Sequence, residues 1–475
     1  MKIIVFGVGT YYQNRKEKFE DFDNIEIIAL ADNDISMWNK RVDDTVVISP
    51  NLILNLTYDK IVIMSIHVRE IHFQLLNLGI DENKIITWER FYKEQLQLTM
   101  KFYKPILPNK EENKKKVLII TQKMEYDGGT LAAIYASMAL RNRGMSVALF
   151  APDGDKKLIN EVVNKGVTVC TCMSLPYIFK IQKEWVREFD VVIVNLFTMM
   201  ESAYEVVQVR PVLWWIHEAS LIYALIDQEK KMVVHEECMN LINIYAVSKI
   251  AQQNFNTGFK NRIKNTLTAG IPDDNMFNRA KNNRNKVVFA IIGNVHIIKL
   301  FHVFLEAAES MNADKNAEFW VIGRVADDNY GSYIKQMASY INSVRMFGEL
   351  TRTELQKAFE EIDVVACTSN EETLSLTIIE GMMHGKVCIT TENTGIAAYI
   401  QDGVNGYVIP VNDAIALTEK MQYILENNDQ LEGIRRAARK TYEKYFSLKI
   451  LGRNLEAALD ETEQKWKERN QYQEQ

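Results

Sequence analysis

Short runs of β-branched and apolar residues alternate with segments of helical period along almost the whole chain of 475 residues. This alternation is typical of parallel sheets whose crossover helices cover both faces. The chain is too long for one ordinary core, so we expect two or three domains of about 100–200 residues each. The predicted fold class is therefore α/β, built from several doubly wound units.

Strand patterns and composition divide the chain into five parts. We expect an accessory Rossmann-like domain at 1–101, followed by a linker at 102–116, where prolines and high charge interrupt the periodicity. Two larger Rossmann-like units are predicted at 117–284 and 285–445. The charged, amphipathic residues 446–475 predict a helical tail that packs on the rest of the fold.

Bulk composition excludes several classes of protein. Hydrophobic residues make up 47% of the chain and charged residues 25%, as in ordinary globular proteins. A formal net charge of -6 argues against nucleic acid as a partner, because neutralising phosphates requires an excess of Lys and Arg. The cysteines lie mostly in apolar runs without the spacing of metal ligands, and no signal peptide pattern opens the chain, so we expect free thiols, no metal and a cytoplasmic location.

The most informative segment runs from Cys367 to Gly385 and contains Glu372 and Glu380. A strand is predicted to end near Cys367, and a helix to begin about Leu376 after a polar loop. Free backbone amides at such a helix start suit an anion such as a diphosphate; they belong to Leu374, Ser375, Leu376 and Thr377. The two carboxylates suit sugar hydroxyls, although their spacing alone is equally that of ordinary residues favoured at a helix start.

Glu372 and Glu380 are separated by seven residues and followed by Gly-Met-Met-His-Gly, a pattern that resembles the signature of retaining glycosyltransferases of family 4. The resemblance extends from Val117 to about Tyr445. It implies a GT-B architecture, in which two Rossmann-like domains face each other, with the small N-terminal domain as an addition. It also implies that Glu380 holds the nucleotide ribose and that Glu372 approaches the donor sugar.

The resemblance implies the reaction and its partners as well. The donor is expected to be a nucleotide diphosphate sugar, and the acceptor a hydroxyl of a glycan or a lipid-linked acceptor in cell-surface polysaccharide or glycoconjugate biosynthesis. No cofactor is expected, because the nucleotide sugar is a substrate. The donor sugar, its base and the oligomeric state are left open.

A second candidate site lies where a predicted strand runs through Gly293 and Lys299 into a helix. A lysine at this place is able to neutralise a leaving diphosphate as a point charge, although a merely solvated lysine is the alternative. The family pattern here is Gly-Arg-Leu, three residues, then Lys-Gly, so Asn294 replaces the arginine and Leu300 the glycine. Arg324, after the next predicted strand, is the candidate to supply the missing guanidinium to a phosphate.

Three further residues, in two segments, are expected to line the cleft from the acceptor-side domain. Gly128 and Gly129 follow the first strand of the 117–284 unit, where the backbone is able to approach a ligand closely. His217 follows the apolar run Trp214-Trp215-Ile216 and precedes Glu218, and the family has a matching histidine at the cleft. We expect His217 to contact the donor sugar or to order the active site.

Three other interpretations remain open. The first is a catalytically silent, transferase-like subunit that supports an active partner. The second is an oxidoreductase built on Gly7 and Gly9 with Asp32, disfavoured because Tyr12 stands where a third glycine is needed. The third is a metal site at Asp153-Gly-Asp155, which is more typical of a turn.

A contact with a membrane surface is also suggested by the sequence. The basic residues 114–116 and the pair Trp214-Trp215 would suit a lipid-linked acceptor at the inner face of a membrane. Basic runs are commonly just solvated residues, and tryptophan pairs are commonly just core residues.

Overall fold

A computed structural model of the chain describes residues 1–22, 25–95, 100–104, 114–175, 178–181, 183–223, 235–259, 262–275, 277 and 286–471. Internal contacts divide the chain into two compact units, Met1–Thr99 and Met100–Gln475.

The first unit is a doubly wound sheet with the strand order β3-β4-β2-β1-β5-β6. All its neighbouring strands are parallel except β3 and β4. The strands are β1 (Lys2–Phe6), β2 (Glu26–Ala31), β3 (Arg41–Val42), β4 (Thr45–Ile48), β5 (Lys60–Ile63) and β6 (Ile85–Thr87). The helices are α1 (Thr10–Gln13), α2 (Val68–Asn77) and α3 (Trp88–Gln95), with 3-10 turns at Lys16–Asp21, Ile35–Met37, Pro50–Asn55 and Glu82–Lys84.

The residues that resemble a dinucleotide fingerprint serve the fold of this unit. Tyr12 is buried, and its hydroxyl donates to Asp43 at 3.0 Å. The Asp32 carboxylate accepts the backbone N–H of Val8 at 2.8 Å and that of Asp34 at 2.9 Å. Both carboxylate oxygens of Asp32 therefore accept backbone amides and stabilise the adjoining loops. A ribose hydroxyl would have to displace these amides in order to bind Asp32.

The second unit contains two sheets, of which the first has the order β14-β13-β12-β11-β8-β9-β10-β7. Its strands are β7 (Lys101–Tyr103), β8 (Lys116–Ile120), β9 (Ser146–Ala151), β10 (Thr168–Thr171), β11 (Val191–Asn195), β12 (Val212–Ile216), β13 (Asn243–Ala246) and β14 (Asn265–Thr266). Its helices are α4 (Gly128–Asn142), α5 (Lys156–Asn164), α6 (Ile178–Ile181), α7 (Met200–Val206), α8 (Glu236–Leu241) and α9 (Lys249–Phe259), with 3-10 turns at Glu184–Glu188 and Phe197–Met199.

The second sheet of this unit is parallel throughout and has the order β17-β16-β15-β18-β19-β20. Its strands are β15 (Val287–Ile292), β16 (Ala317–Ile322), β17 (Val344–Gly348), β18 (Val364–Cys367), β19 (Val387–Thr391) and β20 (Tyr407–Ile409). The helices are α10 (Phe301–Ser310), α11 (Asn329–Tyr340), α12 (Arg352–Glu361), α13 (Leu376–Met383), α14 (Ala414–Asn427), α15 (Glu432–Tyr445) and α16 (Leu448–Gln471), with 3-10 turns at Ile297–Lys299, Gly395–Tyr399 and Asn428–Gln430. The predicted α/β class is confirmed.

The start of the predicted linker is part of a sheet. Phe102 and Tyr103 pair antiparallel with Cys170 and Val169, so β7 forms an edge strand of the acceptor-side sheet. The prediction of an irregular segment from 102 was wrong here, because a strand of three residues is too short to show periodicity. Residues 105–113 of the linker lie outside the described residues.

The predicted tail forms α16, which packs on α4 of the acceptor-side domain rather than on the domain that precedes it in sequence. Arg143 pairs with Glu456, Lys115 with Asp460 at 2.7 Å, and the indole of Trp466 donates to the Val207 carbonyl at 2.8 Å. The two Rossmann-like domains of this unit are therefore joined by two chain crossings.

Three of the residues that suggested a membrane contact, Trp214, Trp215 and Lys115, lie in the core or in ion pairs. Trp214 and Trp215 are fully buried in β12, and their indoles donate to the carbonyls of Leu196 and Leu267. Lys115 is paired with two carboxylates of α16. The tryptophan pair is therefore a core feature, and the surface interpretation of it was wrong. In the described part of the chain, no helix combines the length and apolar character needed to cross a bilayer.

Glu218 fixes the loops at the carboxyl ends of β11 and β12. Its carboxylate accepts the backbone N–H of His217 at 2.9 Å and also that of Phe197. Burial raises the pKa of Glu218 to about 7, although the backbone donors act in the opposite direction. The group thus holds a proton in the folded chain over a pH range in which the unfolded chain has lost it.

We predict that Glu218 makes the fold less stable as the pH rises from about 4.5 to about 7, because the folded state binds more protons than the unfolded state in this interval. After discounting partial exposure, the effect on the free energy of unfolding is on the order of 2 kcal/mol. Urea unfolding of the wild type and of Glu218→Gln between pH 5 and pH 8 measures it. The wild type should lose stability relative to the variant with rising pH, and parallel curves would contradict the assignment.

Candidate functional site

The two loops with the candidate donor residues flank one point of the second sheet, where the strand order reverses. The chain leaves β15 at Gly293 toward β16 on one side, whereas β18 lies on the other side of β15. At such a switch point the two loops separate at the carboxyl edge and leave a crevice for a ligand. Hydrogen bonds join them, since the Thr368 hydroxyl donates to the carbonyls of Lys299 at 2.8 Å and Leu300 at 3.0 Å.

Lys299 and Glu372 meet in this crevice. Lys299 Nζ lies 2.7 Å from Glu372 Oε1, and the other carboxylate oxygen accepts from Ser369 Oγ at 3.0 Å and Cys367 Sγ at 3.3 Å. Burial lowers the pKa of Lys299, but the Glu372 carboxylate more than offsets this and the net shift is upward. The lysine is therefore held as a cation at the sheet edge.

Leu300, which replaces the family glycine, has the left-handed backbone conformation with φ of 48°. Glycine adopts this conformation without steric cost, whereas a leucine is strained in it. The turn that contains Lys299 therefore has the left-handed conformation that suits glycine, although leucine stands at this position. The Leu300 side chain is partly buried and packs against the hydrophobic core of the donor-side domain.

The start of α13 offers backbone donors. Ser375 is the N-cap, its side chain makes no capping hydrogen bond, and both it and Leu374 are buried. A Cβ atom built on Gly128 of the acceptor-side domain would lie 4.0 Å from Leu376 Cδ1. Gly128, the first residue of α4, therefore faces the start of α13, and a side chain there would narrow the space between the domains.

Glu380 lies one turn into α13 and forms an ion pair with Arg352, the first residue of α12. The Glu380 carboxylate is buried. Burial lowers the pKa of Arg352, but the charge of Glu380 raises it by more, so the net shift of this pKa is upward. Sequence reasoning missed Arg352. The capping-box pattern Thr351-x-x-Glu354 predicts a helix that begins at Arg352. A cation at a helix start is disfavoured by the helix dipole, so this position indicates that a carboxylate lies nearby.

His217 lies across the crevice from these residues. Its backbone carbonyl accepts the Thr373 hydroxyl at 2.7 Å, its ring packs edge-on to Trp215, and burial lowers its pKa to about 3. The imidazole is therefore neutral. Among the described residues, its buried Nε2 atom has no hydrogen-bond partner. A buried ring nitrogen of this kind is available to a ligand.

Gly129 lies in the first turn of α4, whereas Arg324 lies in the loop that follows β16. A Cβ on Gly129 would lie 2.7 Å from Leu196 Cδ2, so a larger residue at the start of α4 would have to displace the end of the Leu196 side chain. Arg324 is exposed, and its carbonyl accepts the N–H of Val295 at 2.9 Å, which places it beside the Gly293 loop. The phosphate roles of Gly293 and Arg324 remain predictions.

The candidate metal pair serves a helix cap. Asp155 accepts the N–H of Leu158 at 2.9 Å as the N-cap of α5, and the carbonyl of Asp153 accepts from Met124. Among the described residues, no group of three or more His, Cys, Asp or Glu side chains is arranged to hold a metal ion.

Three family profiles match consecutive parts of the chain. Residues 1–86 match "C2185-like, N-terminal", residues 113–271 match "Glycosyl-transferase family 4", and residues 273–441 match "Glycosyl transferases group 1". The last two cover both Rossmann-like domains of the second unit and meet at the crossing between them.

Two curated relatives match over part of the chain. The sulfoquinovosyl transferase SQD2 of Arabidopsis thaliana is 28% identical over 127 residues, 26% of this chain and 25% of that protein. The putative glycosyltransferase EpsD of Bacillus subtilis is 26% identical over 89 residues, 19% of this chain and 23% of that protein. The matched segments thus span about a quarter of these relatives.

Solved structures share the fold at low identity. A glycosyltransferase from Rickettsia africae superposes with a TM-score of 0.61 at 18% identity, over 73% of this chain and 98% of that one. Anabaena Alr3699/HepE, solved in complex with UDP and glucose, superposes with a TM-score of 0.62 at 16% identity, over 73% of this chain and 100% of that one. These neighbours show a GT-B fold. The two glycosyltransferase profiles show that the chain belongs to the family 4 glycosyltransferases, and an additional N-terminal Rossmann-like domain precedes the matched region.

Proposed function

We propose that the chain transfers a sugar from a nucleotide diphosphate sugar to a hydroxyl acceptor, with retention of the anomeric configuration. One observation carries this proposal: Lys299, Glu372 and the free start of α13 meet at one switch point, opposite His217. Cations and backbone donors suit the diphosphate, and carboxylates suit the sugar and ribose hydroxyls. The pathway we propose is the synthesis of a cell-surface polysaccharide or glycoconjugate.

The chemical task is to stabilise the leaving nucleotide diphosphate as negative charge develops on it. In the proposed complex, Lys299 and the amides of Ser375 to Thr377 bind the phosphate oxygens, in a site whose donors are already oriented before the reaction. Glu380 accepts ribose hydroxyls, and Glu372 and neutral His217 bind the donor sugar. This arrangement uses no metal ion, since charge neutralisation comes from the protein.

Uridine is the first base to test. Solved neighbours include Alr3699/HepE in complex with UDP, with UDP and glucose, and with UDP-glucose. Because the proposed site has the same fold, we take UDP-sugars as the first candidate donors. The Asn294 substitution removes one phosphate contact expected in the family, so we expect moderate rather than tight donor affinity.

The alternative of a silent, partner-supporting subunit makes a different experimental prediction. The purified protein is incubated with UDP-, GDP-, ADP- and CDP-sugars, with and without glycan acceptors, and products are followed by NMR. We expect donor turnover with at least one sugar nucleotide and an α-configured product from an α-configured donor. An inverted product would overturn retention, and tight nucleotide binding without turnover would support the silent subunit.

Glu380→Ala is predicted to weaken UDP binding by about tenfold or more, because a charged acceptor for the ribose is lost. Isothermal titration calorimetry measures the dissociation constant. Glu392→Ala, which removes an exposed glutamate of the same domain, is the matched control and should leave it unchanged. Equal affinity of the Glu380 variant and wild type would remove the ribose role.

Lys299→Met and Glu372→Gln should separate binding from chemistry. Loss of the lysine is expected to lower kcat by about 10²–10³-fold and to weaken UDP binding, since it contacts the leaving group throughout the reaction. Glu372→Gln should lower kcat while UDP binding is kept or tightened, because Lys299 loses its competing carboxylate. Steady-state kinetics and calorimetry distinguish the two, and a weaker UDP affinity in Glu372→Gln would contradict the assigned roles.

A further inference from the structure

Glu371, the neighbour of the candidate donor-sugar residue, binds the opposite domain. Its Oε1 accepts the backbone N–H of Ser220 at 3.0 Å and the side-chain amide of Asn254, and its Oε2 accepts the Ser220 hydroxyl. Ser220 follows β12 and Asn254 lies in α9, so all three donors belong to the acceptor-side domain. No Lys or Arg forms an ion pair with Glu371 in the described part of the chain.

The side chains of three consecutive residues alternate between the two domains. Glu372 turns to Lys299 of its own domain, whereas Glu371 and Thr373 on either side of it bind Ser220 and the His217 carbonyl. Successive side chains of an extended segment point in opposite directions, and this segment uses that property. The position of Glu372 in the crevice is therefore tied directly to the acceptor-side domain.

The backbone of the same segment is fixed in the donor-side domain. Glu372 forms a parallel bridge with Thr394, in which its N–H donates to the Asn393 carbonyl at 3.3 Å and its carbonyl accepts from Gly395 at 2.8 Å. Because this backbone is fixed in the donor-side domain, the contacts of its side chains with the acceptor-side domain fix the two domains relative to each other at this point. Glu371 is the charged member of these contacts.

We propose that Glu371 is a positioning residue that links the two domains at the donor site: its contacts with Ser220 and Asn254 set the placement of Glu372 and His217 relative to each other. The proposal rests on the proposed transferase function and deepens it. It predicts that loss of Glu371 impairs transfer with little effect on nucleotide binding, because Glu371 itself touches neither the ribose nor the phosphates in this assignment.

The first test compares Glu371→Ala with the control Glu419→Ala, an exposed glutamate of α14 in the same domain. A displaced reacting group costs up to about 10²-fold in rate, so we expect kcat to fall by about 10–100-fold while the UDP dissociation constant stays within about twofold. Glu371→Gln should restore most of the rate, because an amide oxygen still accepts and the Ser220 hydroxyl is able to reverse its role. An unchanged kcat, or a loss caused by weaker UDP binding, would overturn the proposal.

An exchange of acid and amide keeps the proposal testable if Glu371→Ala fails to fold. Asn254→Asp places a second carboxylate against Glu371 and should lower kcat through repulsion. Combining it with Glu371→Gln restores an acid–amide pair in reversed order, and kcat should recover to within about threefold of the wild type. A double variant no better than Asn254→Asp alone would refute the contact.

A measurement without donor turnover separates this proposal from the proposed function. Hydrogen exchange of peptides that contain the Ser220 amide should be faster in Glu371→Ala than in wild type, because that N–H loses its acceptor. If the wild type shows no transfer but exchange increases as expected, the function is wrong and the link between the domains stands. Unchanged exchange would reject the link itself.

Discussion

The ion pair between Lys299 and Glu372 holds together the two loops on which the site depends. Without it, a cation and a carboxylate would lie at the same sheet edge without compensation, each largely removed from water. Hydrogen bonds from the Thr368 hydroxyl to the backbone carbonyls of Lys299 and Leu300 join the same two loops. The crevice is thus formed before a ligand arrives, and a bound diphosphate exchanges one partner of the lysine for another.

Much of the donor-side domain was predictable because all its strands except the edge strand β17 are largely buried and its loops carry local signals. The strand predicted to end near Cys367 and the helix predicted to begin about Leu376 agree with the structure, in which β18 ends at Cys367 and α13 begins at Leu376. Gly293 and Lys299 also lie in the one segment between β15 and α10, as expected. Such features depend on hydrophobic period, caps and turn residues, all of which lie within a few positions of one another.

The contacts that assemble the cleft were not predictable from the sequence. Arg352 reaches Glu380 from a different helix, and Ser220 reaches Glu371 across 151 positions of sequence. The burial of Trp214 depends on strands placed on both sides of β12, which a single apolar run does not reveal. The packing of whole helices and strands determines such pairings. The local sequence therefore shows which residues are able to form a hydrogen bond or an ion pair, but not which partner each one meets.

The position of α16 has a consequence for how the chain acquires its structure during synthesis. Arg143, at the end of α4, contacts Glu456 of α16, although 313 positions of sequence separate them. When the acceptor-side domain has left the ribosome, the helix that covers α4 has therefore not yet been synthesised. The acceptor-side domain must wait for the donor-side domain and for residues 448–471, with apolar surface exposed in the meantime. The order of domains in the sequence is therefore not the order in which they are completed.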